Sequence, residues 1–179
     1  GTITFTITCS QNYGPNATAS VSGSTLTVDD LTIDDPSDGV SSFSRIVLKA
    51  GSETGGAIDI GVTVTGQTLV DSHNSVGVYL LTSKGDITVD VGSDVTIKAR
   101  ESGIFAKADS GGGSGGALGG NVLVTNRGSI DAGYYTAGSF GSDGIRVRAL
   151  QGTGTVYNYG DVRSELGRGI RIDGSLLAL

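Results

Sequence analysis

The sequence predicts an all-β protein in which short strands stack as a three-sided parallel β-helix, also called a β-solenoid. Two observations predict the strands: Val, Ile and Leu alternate with Thr, Ser and Asp along the chain, and no segment shows helical periodicity. A third predicts the stacking, because a Gly-Ile or Gly-Val signature recurs at intervals typical of repeat architectures. The 179 residues are enough for one domain of this kind.

The signature occurs four times, and its glycines are separated by 26, 41 and 25 residues. The middle interval equals one period plus an insertion. Two further short strands follow each signature, so each period holds three strands separated by Gly, Asn, Asp or Ser turns. Hairpins would pair sequence neighbours, whereas stacking one period on the next explains why strands one period apart are alike. The signature glycines are Gly77, Gly103, Gly144 and Gly169.

Stacking also predicts columns of like side chains, about 4.8 Å apart from strand to strand. Apolar residues at matching positions of successive periods should point inward. Asparagines at matching bends should form a short amide ladder. The predicted inward columns are Ile104 with Ile145 and Ile170, Val147 with Ile172, and Val89 with Val124 and Val156, and the amide pair is Asn126 with Asn158.

The chain divides into two unequal parts within a single domain. Residues 1–75 are predicted to form an irregular N-terminal capping segment and the first coils, because they lack the signature and atypical terminal repeats close the ends of solenoids. Residues 76–179 are predicted to form regular coils, with a glycine-rich loop at 109–120. The last residues include no polar capping segment, so we expect a fragment of a longer polypeptide.

Composition and motifs favour no catalytic chemistry. A single cysteine, Cys9, cannot form an internal disulfide, and no apolar run approaches the roughly 18 residues that span a bilayer. The chain has no phosphate-binding loop, nucleophile elbow or zinc-ligand spacing. The single histidine, His73, follows Asp71 and Ser72, but such neighbours rarely converge as a triad. We predict no catalytic residue, no metal and no cofactor.

The acidic residues are placed for solvation rather than for chemistry. The net charge is −6, and residues 28–39 concentrate five aspartates in one predicted loop. A loop of this kind binds calcium only if several carboxylates converge, so a solvated loop is expected and a calcium site is the alternative. The outward acids on the repeating strands should form no pair across adjacent coils, and they are Asp86, Asp90, Asp131 and Asp161.

Two stretches that share Gly-Ile-Arg followed by a β-branched residue carry arginines on predicted strands. "SDGIRVRAL" at 142–150 recurs 25 positions later as "GRGIRIDGS" at 167–175. In both, arginines alternate with inward β-branched residues, so the arginines should point outward. Arg148 of the first stretch should face Asp173 of the second.

These arginines predict a basic strip. Stacking places Arg146 between Phe105 and Arg171, and Arg148 beside Lys107. Guanidinium groups can bind sulfate, phosphate or carboxylate groups through paired hydrogen bonds. The alternative is that these charges only solvate the sheet face. The predicted ligand-binding residues are Phe105, Lys107, Arg146, Arg148, Arg168 and Arg171.

Residues 102–130 combine a Gly-Ile-x-Ala strand, a glycine-rich run and the pattern V-x-N-x-G-x-I. This combination resembles passenger domains of autotransporters, the type V secreted surface proteins of Gram-negative bacteria. The resemblance covers residues 76–174, and the first 70 residues share only its general character. It implies a right-handed parallel β-helix, exported through a C-terminal translocator barrel and displayed at the bacterial cell surface or secreted.

The same resemblance implies an adhesin or another virulence factor, although a scaffold alone does not specify a ligand. We expect a non-catalytic adhesin or self-association module that binds anionic host glycans, extracellular matrix or other passengers, and no nucleic acid. The alternative is a carbohydrate-active β-helix enzyme, a polysaccharide lyase or glycosidase. A glycosidase would need paired carboxyl groups about 5.5 Å or about 6.5–9.5 Å apart on one face.

Overall fold

The protein is described by a computed structural model over residues 3–8, 18–34, 45–50, 57–73, 75–108, 119–133 and 142–176. These residues form strands and turns without any helix, which confirms the predicted all-β class. The strands are β1 (Ile3–Thr8), β2 (Thr18–Ser22), β3 (Thr25–Asp29), β4 (Thr32–Asp34), β5 (Arg45–Ala50), β6 (Ile60–Thr65), β7 (Leu69–Ser72), β8 (Val78–Thr82), β9 (Ile87–Val91), β10 (Thr96–Ala99), β11 (Ile104–Ala108), β12 (Val122–Asn126), β13 (Ser129–Ala132), β14 (Ile145–Asn158), β15 (Asp161–Ser164) and β16 (Ile170–Leu176).

The described strands form two sheets, of eleven and five strands. The larger sheet curls, because β14 pairs with β11 through its first half and with β12 through its second half. β16 pairs with β14 chiefly through the first half and continues to Thr153 and Gly154. The curl divides this sheet into two rows, and the smaller sheet is a third. Row 1 contains β1, β5, β8, β11, the first half of β14 and β16; row 2 contains β2, β3, β6, β9, β12 and the second half of β14; row 3 contains β4, β7, β10, β13 and β15.

Neighbouring strands within each row are mostly parallel, and each pairs with its counterpart one three-strand period later. On row 3, Val70, Ile97 and Ile130 share one register position. All three are at most 1% exposed. Rows 1 and 2 alternate in the same way, so aliphatic side chains from all three rows form one interior cluster. Burial of each such side chain contributes about 1.5–3 kcal/mol.

The residues of each predicted interior column are aligned in register, but one of them is not buried. Ile104, Ile145 and Ile170 align across row 1, but Ile170 is 39% exposed whereas the other two are fully buried. The prediction that Ile170 is an interior residue is therefore wrong. Its strand, β16, is the outermost strand of row 1 in the described chain, so no further described strand covers it. The remaining columns align as predicted, and they are Val147 with Ile172, and Val89 with Val124 and Val156.

Gly103 shows why the repeated signature contains glycine. A Cβ atom added to Gly103 would lie 2.8 Å from the backbone oxygen of Gly144 on the next period. The equivalent Cβ on Gly77 would lie 2.8 Å from the backbone oxygen of Gly103. Successive periods therefore come too close at this corner for any side chain, and glycine is the residue that fits.

The described N-terminal strands, which lie within the predicted capping segment of residues 1–75, pair differently from the repeating strands. β1 pairs antiparallel with β5, and β2 pairs antiparallel with β3, so both form regular edges of rows 1 and 2. In β1, Ile3, Phe5 and Ile7 are half-buried and pack against the interior cluster. This alternation of apolar and polar residues is sufficient for a regular strand. Residues 109–118 of the predicted glycine-rich loop lie outside the described residues.

The last period also differs in its strand boundaries. The sequence predicts two short strands between residues 145 and 158, whereas the structure has one strand, β14, across that interval. The pairing of β14 with β16 shifts register between Ala149 and Thr153. Gly152 lies within the shift, and the chain passes from row 1 to row 2 through this irregularity without leaving the extended conformation.

Candidate functional site

The outward side chains of row 1 form two columns that run across the strands. They are outward because they alternate with the buried aliphatic residues of the same strands. We call these two columns together the basic–aromatic face. The first column contains Val47, Tyr79, Phe105, Arg146 and Arg171, and the second contains Lys49, Leu81, Lys107, Arg148 and Asp173.

Contacts run along this face from strand to strand. Lys49 Nζ lies 5.9 Å from the centroid of the Tyr79 ring. The rings of Tyr79 and Phe105 are 5.6 Å apart between centroids and inclined at 48°. The Cζ atom of Arg146 lies 5.0 Å from the centroid of Phe105. Cation–π and tilted aromatic contacts of this kind each contribute about 0.5–1.5 kcal/mol, so cations border an aromatic pair on both sides.

Asp173 is the single acid in the two columns, and two arginines hold it. Arg171 donates from Nε to Asp173 Oδ1 over 2.8 Å, and Arg146 donates from Nη2 to Asp173 Oδ2 over 3.3 Å. Partial burial alone would raise the pKa of Asp173, but these hydrogen bonds and positive charges outweigh it and hold the pKa below its usual range. Register places Arg148 opposite Asp173 as predicted, and Arg146 and Arg171 donate hydrogen bonds to the Asp173 carboxylate.

Arg171 also approaches a second, buried carboxylate. Its Nη1 lies 4.0 Å from Oδ2 of Asp143, which is 2% exposed. The other oxygen of Asp143 accepts the backbone N–H of Arg168 over 3.0 Å. Arg171 is thus held between two acids, and hydrogen bonding with Asp173 raises the pKa of Arg171. Its charge is already balanced by these neighbours.

The structure brings five of the six predicted site residues together. Phe105, Lys107, Arg146, Arg148 and Arg171 all belong to the basic–aromatic face. Arg168 lies at the corner before β16, outside the two columns, and it is exposed. The face carries five cations and one carboxylate, in contrast to the net charge of −6 for the whole chain.

Sequence reasoning missed the N-terminal end of this face. Arg45, Lys49 and Val47 on β5, with Thr4 and Thr6 on β1, line a surface depression of about 220 Å³. β5 has no Gly-Ile signature, so the repeat alone did not align Lys49 with Lys107. The alternation in "RIVLKA" is the signal that could have identified these residues as outward cations.

Tyr79 connects this end to the predicted strip. Burial raises the pKa of its hydroxyl, and the positive charge of Arg45 opposes that rise. The Tyr79 hydroxyl therefore stays protonated at neutral pH and can donate a hydrogen bond. Arg45 is itself oriented by a hydrogen bond from Nη1 to Ser75 Oγ over 2.8 Å.

Row 3 carries the acids that bear on the enzyme alternative. His73 Nε2 lies 3.4 Å from Asp71 Oδ1, whereas Ser72 is fully buried on the opposite side of the strand, so these three neighbours do not converge as a triad. Register places Asp34 of β4 opposite Asp71 of β7, an alignment that the sequence analysis did not identify. Asp71 is followed across the row by Lys98, Asp131 and Arg163, so the charges then alternate in sign.

The four outward acids named from the sequence do not pair with one another. Asp131 is opposite Lys98 and Arg163, and Asp161 is opposite Ser129. Asp90 is opposite two threonines, and its carboxylate forms an ion pair with Arg127. The carboxylate of Asp86 accepts hydrogen bonds from the backbone N–H and the side-chain amide of Asn121.

Among the described residues, no group of three or more His, Cys, Asp and Glu side chains is placed to hold a metal ion. Asp35 and Asp38 of the acidic segment lie outside the described residues. No described helix has the length and apolar character needed to cross a bilayer. Comparison with protein-family models, curated proteins and solved structures gives no significant match.

Proposed function

We propose that this chain is a non-catalytic, adhesin-like module that binds anionic glycans through the basic–aromatic face. The observation that carries the proposal is the alignment of Lys49, Tyr79, Phe105 and Arg146 in contact across adjacent strands. Guanidinium and ammonium groups bind carboxylates and sulfates, and aromatic rings offer apolar surfaces to the faces of sugar rings. The combination therefore suits a ligand that is both charged and carbohydrate.

The proposed scaffold is a right-handed, three-sided parallel β-helix. Support comes from the pairing of strands one period apart and from inward columns on all three rows. The right hand is favoured because crossovers between parallel strands of one sheet are right-handed in about 98% of cases. The resemblance of residues 76–174 to autotransporter passengers supports display at a bacterial cell surface or secretion, with host glycans or extracellular matrix as the partners.

Chemistry on this face favours binding over catalysis. Its one carboxylate, Asp173, is held by two arginines and has a lowered pKa, so it is poorly suited to donate a proton at neutral pH. The cations instead offer several donors to anionic groups along a surface four strand intervals long, from β5 to β16.

A glycan array at low and high salt tests the proposal. Binding of carboxylated or sulfated glycans should weaken at high salt, because exposed charges are screened. Arg146→Ala should reduce binding by about five-fold, consistent with loss of an interaction of about 1 kcal/mol. Arg163→Ala is the matched control, since Arg163 lies on row 3 and its side chain is 70% exposed. Binding that is insensitive both to salt and to Arg146→Ala contradicts the proposal.

Self-association is a second mode of adhesion, favoured by the apolar residues exposed near the last described strands. Leu150, Tyr159 and Ile170 are 48%, 71% and 39% exposed. Exposed apolar side chains mark an interaction site where they are contiguous. Sedimentation at several protein concentrations tests it: a concentration-dependent dimer supports self-association, and a monomer at every concentration removes it.

The enzyme alternative depends on the acids of row 3. Asp34 and Asp71 are opposite each other in register, with His73 beside Asp71. The Asp71 carboxylate and the His73 imidazole, whose Oδ1 and Nε2 atoms are 3.4 Å apart, could serve general acid–base chemistry on a polysaccharide. Incubation with polysaccharides, comparing the wild type with Asp71→Asn, decides this alternative: chain cleavage abolished by the substitution would establish it, and no cleavage by the wild type would reject it for those substrates.

A further inference from the structure

We propose that Arg45 and Lys49 form a second anion subsite, and that the ligand is an anionic polysaccharide lying across the strands and reaching both ends of the basic–aromatic face. The inference rests on the proposed function. It adds a second binding element, a direction for the ligand and a requirement for ligand length.

The subsite is a depression rather than a flat patch. Arg45, Val47 and Lys49 line its floor and side, and the hydroxyl-bearing Thr4 and Thr6 of β1 complete it. Its volume of about 220 Å³ is below the roughly 300–1,000 Å³ of a pocket for a whole small ligand. It therefore suits one charged unit of a longer chain. The antiparallel pairing of β1 with β5 creates this feature, since it brings the threonines beside the cations.

The side chains of the subsite are partly pre-organised. The hydrogen bond from Arg45 Nη1 to Ser75 Oγ restricts the guanidinium, and Lys49 Nζ lies over the Tyr79 ring. Less side-chain entropy is lost on binding when donors are already oriented.

The subsite is continuous with the strip predicted from the sequence. From Lys49 the face passes to Tyr79, then Phe105, then Arg146 through successive contacts. β5 and β14 are three strand intervals apart, a distance of about 14 Å at the usual strand spacing. A ligand that engages both ends must therefore extend across the strands for at least that distance.

The distribution of charge favours a polysaccharide over a nucleic acid. In the first column, the rings of Tyr79 and Phe105 precede the cations of β14 and β16, and in the second column Leu81 separates Lys49 from Lys107. A nucleic acid carries a phosphate on every nucleotide and binds chiefly through dense counter-charge. A polysaccharide in which carboxylates or sulfates are separated by neutral ring faces matches the alternation on this face.

Titration of the whole chain with size-fractionated oligogalacturonates and heparin oligosaccharides tests the inference. Octasaccharides should bind about ten-fold or more tightly than disaccharides of the same chemistry, because only the longer ones reach both ends. Lys49→Ala and Arg45→Ala should each weaken octasaccharide binding by about three- to ten-fold, with disaccharide binding to the Arg146 end preserved.

Arg127→Ala on row 2 and Arg163→Ala on row 3 are the charge-matched controls, and unchanged thermal unfolding establishes that the variants fold. The carboxylated and sulfated series together identify which anionic group is preferred.

The outcomes separate this inference from the proposed function. If Arg146→Ala weakens binding but Lys49→Ala and Arg45→Ala do not, the proposed function stands and the second subsite is rejected. Equal affinity for short and long oligosaccharides also rejects the subsite. If none of the three variants differs from the wild type, both proposals fail. A single-stranded oligonucleotide or an anionic lipid vesicle that binds this face more tightly than the octasaccharides overturns the polysaccharide assignment.

Discussion

The side-chain amide of Asn126 donates from Nδ2 to Oδ1 of Asn158 over 2.8 Å, joining two residues that are 32 positions apart in sequence. Asn126 also accepts the backbone N–H of Gly128 and donates to the Gly128 oxygen, each over 3.2 Å. The amide ladder predicted from the sequence is therefore confirmed. It fixes the register of β12 against β14 at a bend where strand pairing ends.

Asn126→Ala should lower the free energy of unfolding by about 2–3 kcal/mol, because it leaves the buried polar groups of Gly128 without their partner. Asn158→Ala should cost less than about 1 kcal/mol, since Asn158 is exposed and water can replace its partner. Denaturant unfolding of both variants measures the difference. Equal losses would contradict the importance given to the buried amide.

Gly103→Ala should destabilise the fold by about 1–3 kcal/mol, because its Cβ would press on the backbone of the next period. Gly169→Ala is the matched control. It occupies the same place in the signature, but the nearest atom to its added Cβ is 3.6 Å away, which is ordinary contact. Thermal unfolding should show a clear loss of stability for the first variant and little for the second. A similar loss for both would show that glycine is selected there for another reason.

A second ladder links successive periods at the start of the row 2 strands. Asp59 Oδ1 accepts the backbone N–H of Asp86, Asp86 Oδ1 accepts that of Asn121, and Asn121 Oδ1 accepts that of Thr153. Asp86→Ala should cost about 1 kcal/mol, because the hydrogen bonds from the backbone N–H and the side-chain amide of Asn121 to a charged acceptor are lost at an exposed site. Asp86→Asn should retain most of the stability, because its side-chain oxygen can accept the same N–H. Chemical denaturation measures both variants, and equal losses of unfolding free energy for Asp86→Ala and Asp86→Asn would contradict the ladder.

The stability contributed by Asp173 should depend on pH. Its pKa is lower in the folded protein than in the unfolded chain, so its contribution is present above the unfolded value of about 3.9 and is lost as the pH falls through the lower folded value. Asp173→Asn removes this titration. The difference in unfolding free energy between wild type and variant should shrink as the pH falls from about 5 toward about 2. A constant difference over that interval would contradict the assigned lowering of the pKa.

The register of the repeating strands could be predicted from the sequence because local rules determine it. Gly103 must be glycine at a crowded corner, and the residue after it must turn inward, so the signature identifies both the corner and the direction of Ile104. Once two such positions are aligned, every side chain on the strand has a defined face. This is why the basic strip around Arg146 was located correctly.

The remaining features depend on long-range contacts that no local pattern specifies. β5 has no glycine signature, so Lys49 could not be aligned with Lys107 without the strand pairing itself. The antiparallel partner of β5, which brings Thr4 and Thr6 to Arg45, is likewise a tertiary choice. Arg146 and Arg171 both donate hydrogen bonds to Asp173. These bonds depend on the side-chain rotamers, which register alone does not determine.

Nuclear magnetic resonance titration of the protein with a carboxylated or sulfated octasaccharide tests the central claim most directly, because it locates the ligand on the fold. The account predicts that the largest amide shifts fall on row 1, at Tyr79, Phe105, Arg146 and Arg148, and extend to Lys49. Rows 2 and 3 should be nearly unaffected. Shifts centred on Asp71 and Asp131 of row 3, or no shifts at saturating ligand, would contradict it.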